Sequence, residues 1–85
     1  MSEAIIEIRG EPYVRLTTVA ECYELEVTWL EEVYALGLLG DGERYRRTIA
    51  IRARLLARVA RIVQLHFHQG VNLEGVALLL GDEED

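Results

Sequence analysis

Residues 17–39 read TTVAECYELEVTWLEEVYALGLL, and this stretch decides the predicted fold. Its second half carries apolar residues at the spacing of one helical face: Val27, Leu30, Val33 and Tyr34. Val19 and Ala20 give a shorter apolar stripe before it, and the segment 24–26, Glu-Leu-Glu, separates the two. Two short helices joined by a tight turn form a helix-turn-helix, which usually presents its second helix to the major groove of DNA.

The charge of the same stretch disagrees with DNA binding. The exposed side of the second predicted helix carries Glu31 and Glu32, and residues 16–43 contain no Lys or Arg. Carboxylates there would repel a duplex, which carries one negative charge per ~1.7 Å of its axis. The pattern therefore indicates a helix-turn-helix whose second helix does not suit phosphates.

Length and composition place the chain among small globular proteins. The 85 residues predict a single domain over 1–85, with a hydrophobic fraction of 51% and a charged fraction of 28%. The longest uninterrupted apolar run covers residues 76–80, which is too short to span a bilayer, and the first residues lack the basic region of a signal peptide. We therefore expect a cytoplasmic protein without a membrane segment.

The formal net charge of −6 conceals three blocks of opposite sign. Residues 1–43 hold ten acids and two arginines, residues 44–68 hold seven arginines and no acid, and residues 69–85 hold five acids. One interpretation is that these blocks neutralise one another across the fold or between subunits. The other is that the acidic first half presents a face to a basic partner.

Elements around the helix-turn-helix complete the predicted fold. Residues 4–9 and 13–16 have the composition of short strands, and Thr17 is predicted to cap the first helix. Residues 44–51 can be extended, and a hairpin directly after a helix-turn-helix would form a wing. These elements, with two further helices, predict a mainly α fold, a winged helix-turn-helix with a short β wing.

The two further helices follow the wing. Residues 52–69 predict the longest helix, whose apolar face comprises Leu55, Leu56, Val59, Ile62, Val63 and Phe67. Asn72 is predicted to cap a final short helix, which Gly81 can close. Residues 82–85 are then expected to form a solvated acidic tail.

Catalytic and metal-binding patterns are poorly supported. His66 and His68 are two residues apart on a predicted helix, so their side chains diverge by about 200° and cannot bind one metal together. Glu31 and Glu32 lie about 100° apart on a convex helix without a predicted pocket. We predict no catalytic, cofactor-binding or metal site, and no enzymatic activity.

The second predicted helix contains Leu30 and Tyr34 and ends in Gly-Leu-Leu at 37–39, and Gly-Val-Asn-Leu occurs at 70–73. With these motifs, the chain resembles the MerR-type winged-helix family from residue 13 to residue 80. The resemblance implies a DNA-binding transcriptional regulator, yet such proteins carry an arginine where this sequence has Glu31. The basic residues that could contact a phosphate backbone, or only balance charge, are Arg44, Arg46, Arg47, Arg54, Arg58 and Arg61. DNA binding stays the alternative function.

A second set of motifs comprises Val-Asn-Leu-Glu-Gly-Val-Ala-Leu-Leu-Leu at 71–80, Trp-Leu-Glu-Glu at 29–32, and Ile-x-Ile at 49–51. These motifs give a closer resemblance, to the CbpM family of chaperone modulators. The resemblance implies a protein that binds the J-domain of a DnaJ-like or CbpA-like co-chaperone and so regulates an Hsp70. J-domains present a basic helix to Hsp70, which an acidic face could bind by complementary charge. The predicted contact residues are Glu24, Glu26, Thr28, Trp29, Glu31 and Glu32.

The sequence departs from this family in two places. Some relatives continue into a further helix that helps dimerisation, whereas this chain ends at Asp85. We therefore expect either no dimer or a homodimer that uses the faces of the last two helices. Glu24 stands at the turn where related sequences favour glycine, at a cost of roughly 1 kcal/mol if the position is left-handed. The resemblance does not separate an inhibitor from an assembly factor.

Overall fold

The computed structural model describes residues 4–83, with the side chains of residues 4–81. Four strands and four α-helices follow one another, and their bounds are β1 Ile6–Ile8, β2 Glu11–Arg15, α1 Leu16–Tyr23, α2 Val27–Ala35, β3 Glu43–Tyr45, β4 Thr48–Arg52, α3 Leu56–Val63 and α4 Leu73–Glu83. A short 3₁₀ turn, Ala53–Leu55, leads into α3, and a π-helical segment, Gln64–His68, continues it. None of the helices in the described part of the chain is long and apolar enough to cross a bilayer.

The four strands form one antiparallel sheet in the order β1-β2-β4-β3. The central pairing joins β2 to β4, with Val14 opposite Ile51 and Tyr13 opposite Arg52. The other two pairings are tight hairpins, and both central residues of each turn have positive φ, which matches the right-handed twist of the strands. One of these turns is Arg46–Arg47, where φ is 48° and 70°. This turn divides the extended stretch predicted over residues 44–51 into two strands, β3 and β4.

The predicted fold class, a mainly α winged helix-turn-helix with a short β wing, is wrong. The chain forms a small α/β domain with 21% strand in a curled four-stranded antiparallel sheet. The hairpin of β3 and β4 is the outer half of that sheet, because β4 pairs along its other edge with β2. The sequence predicts extended structure near β2 and near β4. It does not predict that these two strands pair, because they are far apart in the sequence and local composition does not reveal such a contact.

α1 packs on strands β2 and β4, and the other helices complete the main core. Its fully buried members come from every helix and from the two central strands, and include Leu16, Leu30, Ile51, Ile62 and Leu80. A smaller cluster of Ile6, Tyr13 and Ala50 is buried separately, with Ile8 and Tyr45 packed against it. Both helices of the α1–α2 pair thus join the main core through the apolar stripes that their sequence predicts.

The predicted capping residues can be compared with the observed ends of the helices. α1 begins at Leu16 with Arg15 at the N-cap and no side-chain cap, so the predicted cap at Thr17 is wrong. Asn72 is confirmed as the cap of α4, because its Oδ1 accepts the Gly75 N–H at 2.8 Å. Gly37 is confirmed in the left-handed conformation after α2, with φ 82°.

The predicted end of the last helix is also wrong. α4 continues through Gly81 to Glu83, so the first two residues of the predicted acidic tail belong to a helix. Residues 84–85 lie outside the described part of the chain.

Candidate functional site

A left-handed residue makes the sharp turn between α1 and α2. Glu24 has φ 57° and ψ 50°, and the Leu25 N–H returns to the Ala20 carbonyl at 2.8 Å. Glu26 is extended at the N-cap of α2, and its carbonyl accepts hydrogen bonds from the backbone of Trp29 and Leu30. The turn therefore holds two exposed carboxylates at one end of the helix pair.

Three aromatic rings pack together where α2 meets the π-helical segment. Trp29 stacks on His66 with centroids 5.5 Å apart and planes inclined by 30°, and its ring lies 5.0 Å from that of Phe67. His66 meets Phe67 edge to face at 4.8 Å. The cluster fixes the orientation of Trp29 at the surface end of the core.

The backbone of the π-helical segment orients His66. Because a carbonyl can only accept, the 2.8 Å contact between His66 Nδ1 and the Val71 oxygen makes Nδ1 the protonated nitrogen. The Gln69 N–H donates to the Gln64 carbonyl five residues earlier, which is the wide turn of a π-helix. This turn links the aromatic cluster to the start of α4.

An open apolar groove lies beside the cluster, and we call it the Trp29 groove. Its volume is about 470 Å³, and its lining residues are Tyr23, Glu24, Leu25, Glu26, Trp29, Val63 and Phe67. The Tyr23 hydroxyl donates to the Leu56 carbonyl at 3.4 Å and so ties the end of α1 to α3. Aromatic and aliphatic groups form the floor and walls, while Glu24 and Glu26 are exposed at one rim.

The groove continues along α3. A second depression of about 350 Å³, lined by Ala60, Val63, Gln64 and His68, shares Val63 with the Trp29 groove. The positions Ala60, Val63 and Gln64 follow the i, i+3, i+4 spacing of one helical face, and Phe67 follows in the π-helical segment beside Trp29. Phe67 is 54% exposed although it was predicted to face the core. This face, formed by the end of α3 and the π-helical segment, therefore lacks a covering element among residues 4–83.

The predicted contact residues divide between two neighbouring surfaces. Glu24, Glu26 and Trp29 meet at the groove. Glu32 is about 60° from Trp29 around α2, whereas Glu31 is about 160° from it, so Glu31 belongs to the outer face of the helix. Thr28 is exposed on that outer face as well.

The α1–α2 region carries exposed carboxylates without basic neighbours in sequence. Its exposed acids are Glu21, Glu24, Glu26, Glu31 and Glu32. The two ion pairs among residues 4–81 join Arg9 to Glu43 and Arg52 to Glu11, all outside these helices. The negative charge of the helix pair is thus presented to solvent.

The arginines predicted as phosphate or charge-pairing residues belong to three different elements, the β3–β4 hairpin, the 3₁₀ turn and α3. Arg44, Arg46 and Arg47 belong to the β3–β4 hairpin, where the Arg46 guanidinium lies 5.3 Å from the centre of the Tyr45 ring. Arg54 lies in the 3₁₀ turn near Glu11. Arg58 donates to the Leu38 carbonyl at 3.4 Å, which supports the loop after α2.

The arginines of α3 lie away from the Val63 wall of the Trp29 groove, Arg58 by about 140° and Arg61 by about 160° around the helix. Arg61 is only about 60° from Gln64 and so borders the second depression. Arg61 is exposed. The acidic rim therefore determines the local charge at the mouth of the Trp29 groove.

Sequence reasoning missed the α3 side of the site. Val63 and Phe67 were assigned to the core of the long helix, and Ala60 was not singled out. Phe67 shares an aromatic cluster with Trp29, a residue far from it in sequence, so periodicity alone gave no signal for its exposure. In the described range, no group of three or more His, Cys, Asp or Glu side chains could hold a metal ion.

Comparisons of the chain with protein-family models, with characterised proteins and with solved structures found no significant match.

Proposed function

We propose that this chain is a non-enzymatic chaperone modulator that binds the J-domain of a DnaJ-like or CbpA-like co-chaperone. By occupying that domain, it would regulate the action of the co-chaperone on an Hsp70. We infer the class of partner from the resemblance of segments 29–32 and 71–80 to the CbpM family. The observation that carries the proposal is the exposed negative charge of α1 and α2.

Charge complementarity supports this partner over DNA. Five exposed carboxylates occur on the helix pair, and residues 16–43 contain no Lys or Arg. Such a surface attracts a basic helix and repels phosphates, and it accelerates encounter with a positively charged protein. A Trp at the edge of an acidic surface supplies the kind of aromatic anchor that dominates many protein interfaces.

A direct binding experiment tests the proposal. A purified J-domain and, separately, a DNA duplex are titrated with the chain by calorimetry at low and at near-physiological salt. We expect saturable J-domain binding that weakens as salt is added, because screening shortens the reach of surface charges to about 10 Å at 0.1 M. Duplex binding that survives physiological salt, without saturable J-domain binding, would overturn the proposal in favour of a DNA-binding regulator.

A charge-reversal variant locates the contact. Glu31→Arg with Glu32→Arg should lower J-domain affinity about tenfold or more, which corresponds to about 1.4 kcal/mol. The matched control is Glu7→Arg with Asp41→Arg, two exposed positions outside the helix pair that receive the same change in charge. If both double variants weaken binding equally, net charge alone explains the effect and the acidic helix face is not the contact surface.

A further inference from the structure

We infer that the Trp29 groove and its extension along α3 form the docking site for one amphipathic helix. The class of partner in this inference rests on the proposed function. The bound helix carries a large apolar anchor flanked by Lys or Arg. The anchor packs against Trp29, Val63 and Phe67, and the basic flank meets Glu24 and Glu26. The predicted acidic face of α2 is thus only part of the binding surface.

The shape of the site selects a helix over an extended peptide. The extension from Ala60 to His68 covers nine residues of continuous helical structure, or roughly two turns. The i, i+3, i+4 spacing of Ala60, Val63 and Gln64 is the pattern by which one helix packs into the groove of another. The walls are helical elements whose backbone groups bond within the helix, so they offer no free strand edge for an added β-strand.

The size of the side chains along α3 allows close approach. Ala60 is exposed and small, and it is followed by the half-buried Val63 and the exposed ring of Phe67. A helix seated here would cover Phe67, whose exposure of 54% is large for an aromatic side chain in an apolar groove. Covering this apolar surface gives a favourable hydrophobic contribution to binding.

The negative charge at the rim of the Trp29 groove favours a partner helix with basic residues beside its apolar anchor. Glu24 and Glu26 lie on the turn at the mouth of the Trp29 groove, whereas Arg58 and Arg61 are about 140° and 160° around the helix from Val63. An acidic flank on the partner would meet like charges at the rim, whereas Lys or Arg would be attracted. Electrostatic complementarity of this kind fixes orientation and excludes wrong partners.

The single Trp of the chain makes the inference directly measurable. The probe is a stapled helical peptide of about 15 residues, roughly four turns, with a Leu and Phe stripe flanked by arginines. A matched peptide keeps the stripe and replaces the arginines with glutamates. We expect the first peptide to change Trp29 fluorescence saturably and to bind about tenfold or more tightly than the second.

Two variants assign the binding to the groove. Phe67→Ala should lower peptide affinity, measured by calorimetry, about tenfold, whereas Leu78→Ala, at a side chain 74% exposed on α4, should leave it within about twofold. Glu24→Gln with Glu26→Gln should weaken binding of the basic peptide and reduce its salt dependence. Both groove variants alter exposed positions and are expected to fold.

The outcomes separate this inference from the proposed function. Absence of a saturable signal, equal binding of the two peptides, or equal losses in Phe67→Ala and Leu78→Ala would overturn the groove as a docking site. A dimer seen by sedimentation and dissolved by Phe67→Ala would also overturn it, because a second copy would then be the occupant. J-domain binding without peptide binding refutes the groove alone, and peptide binding without J-domain binding refutes the proposed function alone.

Discussion

The Trp29 indole stacks on the His66 imidazole with centroids 5.5 Å apart, and this contact joins the second helix of the helix-turn-helix to the π-helical segment. His66 also donates through Nδ1 to the Val71 carbonyl, so one side chain links α2, the end of the long helix and the start of α4. The indole nitrogen of Trp29 is buried and has no hydrogen-bond acceptor among the described residues. Stacking, not hydrogen bonding, therefore holds the Trp in place.

Replacing His66 should destabilise the fold measurably. His66→Ala removes the aromatic contacts and leaves the Val71 carbonyl without its side-chain donor, so we expect a loss of about 1–2 kcal/mol in the free energy of unfolding. The measurement is urea denaturation followed by circular dichroism. His68→Ala is the matched control, since His68 is exposed, and its effect should stay within about 0.5 kcal/mol. Equal losses in the two variants would contradict a structural role for the stack.

The left-handed turn residue offers a stabilising substitution. Glu24→Gly relieves the steric strain of a side chain at φ 57°, and the gain is offset in part by the greater entropy of glycine in the unfolded chain. We expect a net increase of about 0.5–1 kcal/mol in the free energy of unfolding, measured by urea denaturation.

Glu21→Gly is the control for this substitution, because Glu21 is an exposed residue inside α1. It should destabilise the protein by about 0.5–1 kcal/mol through loss of helix propensity. The opposite signs expected at two nearby glutamates isolate the backbone conformation as the cause. A loss of stability in Glu24→Gly would show that the carboxylate itself contributes more than the strain removes.

Gly42 lies where Tyr34 of α2 packs closely against the β3–β4 hairpin. A Cβ at this position would lie 2.7 Å from the Ala50 carbonyl oxygen and 2.9 Å from Tyr34 Cε1, and the Gly42 N–H donates to the Tyr34 hydroxyl. Gly42→Ala should therefore destabilise the protein by about 2 kcal/mol, as seen in thermal unfolding, because one of the opposing atoms is backbone.

The comparison variant for Gly42 is Gly81→Ala. Gly81 lies in α4 with nothing within 4 Å of the added carbon, so the change should be neutral or stabilising by up to about 0.5 kcal/mol. If Gly42→Ala were as well tolerated as Gly81→Ala, the close packing between the hairpin and Tyr34 would not limit stability.

Two capping residues predicted from sequence should now behave differently. Asn72→Ala removes the hydrogen bond that satisfies the Gly75 N–H, and we expect a loss of about 1 kcal/mol in the free energy of unfolding. Thr17→Ala should change it by no more than about 0.5 kcal/mol, because Thr17 lies inside α1 and caps nothing. Chemical denaturation of both variants in parallel provides the test, and a larger loss at Thr17 would contradict the observed start of α1.

Local signals in the sequence located many elements of the fold. The apolar spacing in residues 27–34 predicted α2, and Gly37 and Asn72 were correctly placed at helix ends because each depends on backbone chemistry within a few residues. The long helix was predicted over residues 52–69, and helical structure covers Ala53–His68 as three successive types. Its change of type was not predicted, since the sequence gives no local sign of the wider π turn.

The sequence predicts only one half of the candidate site. Glu24, Glu26 and Trp29 were singled out because they are near one another in sequence, on the turn and the helix after it. Val63 and Phe67 form the opposite wall, and only the packing of α3 against the helix pair brings them to that position. A J-domain partner remains a proposal that the binding experiments decide.

The sequence by itself determined the approximate places of the helices and strands and where negative charge is concentrated, since both follow from neighbouring residues. Only the tertiary structure decided that β2 pairs with β4, which joins the predicted wing to the first strands and makes one sheet. It also decided that Trp29, His66 and Phe67 share a cluster beside an open groove. The physical reason is that strand pairing and side-chain packing depend on contacts between distant segments, whose energies no local pattern encodes.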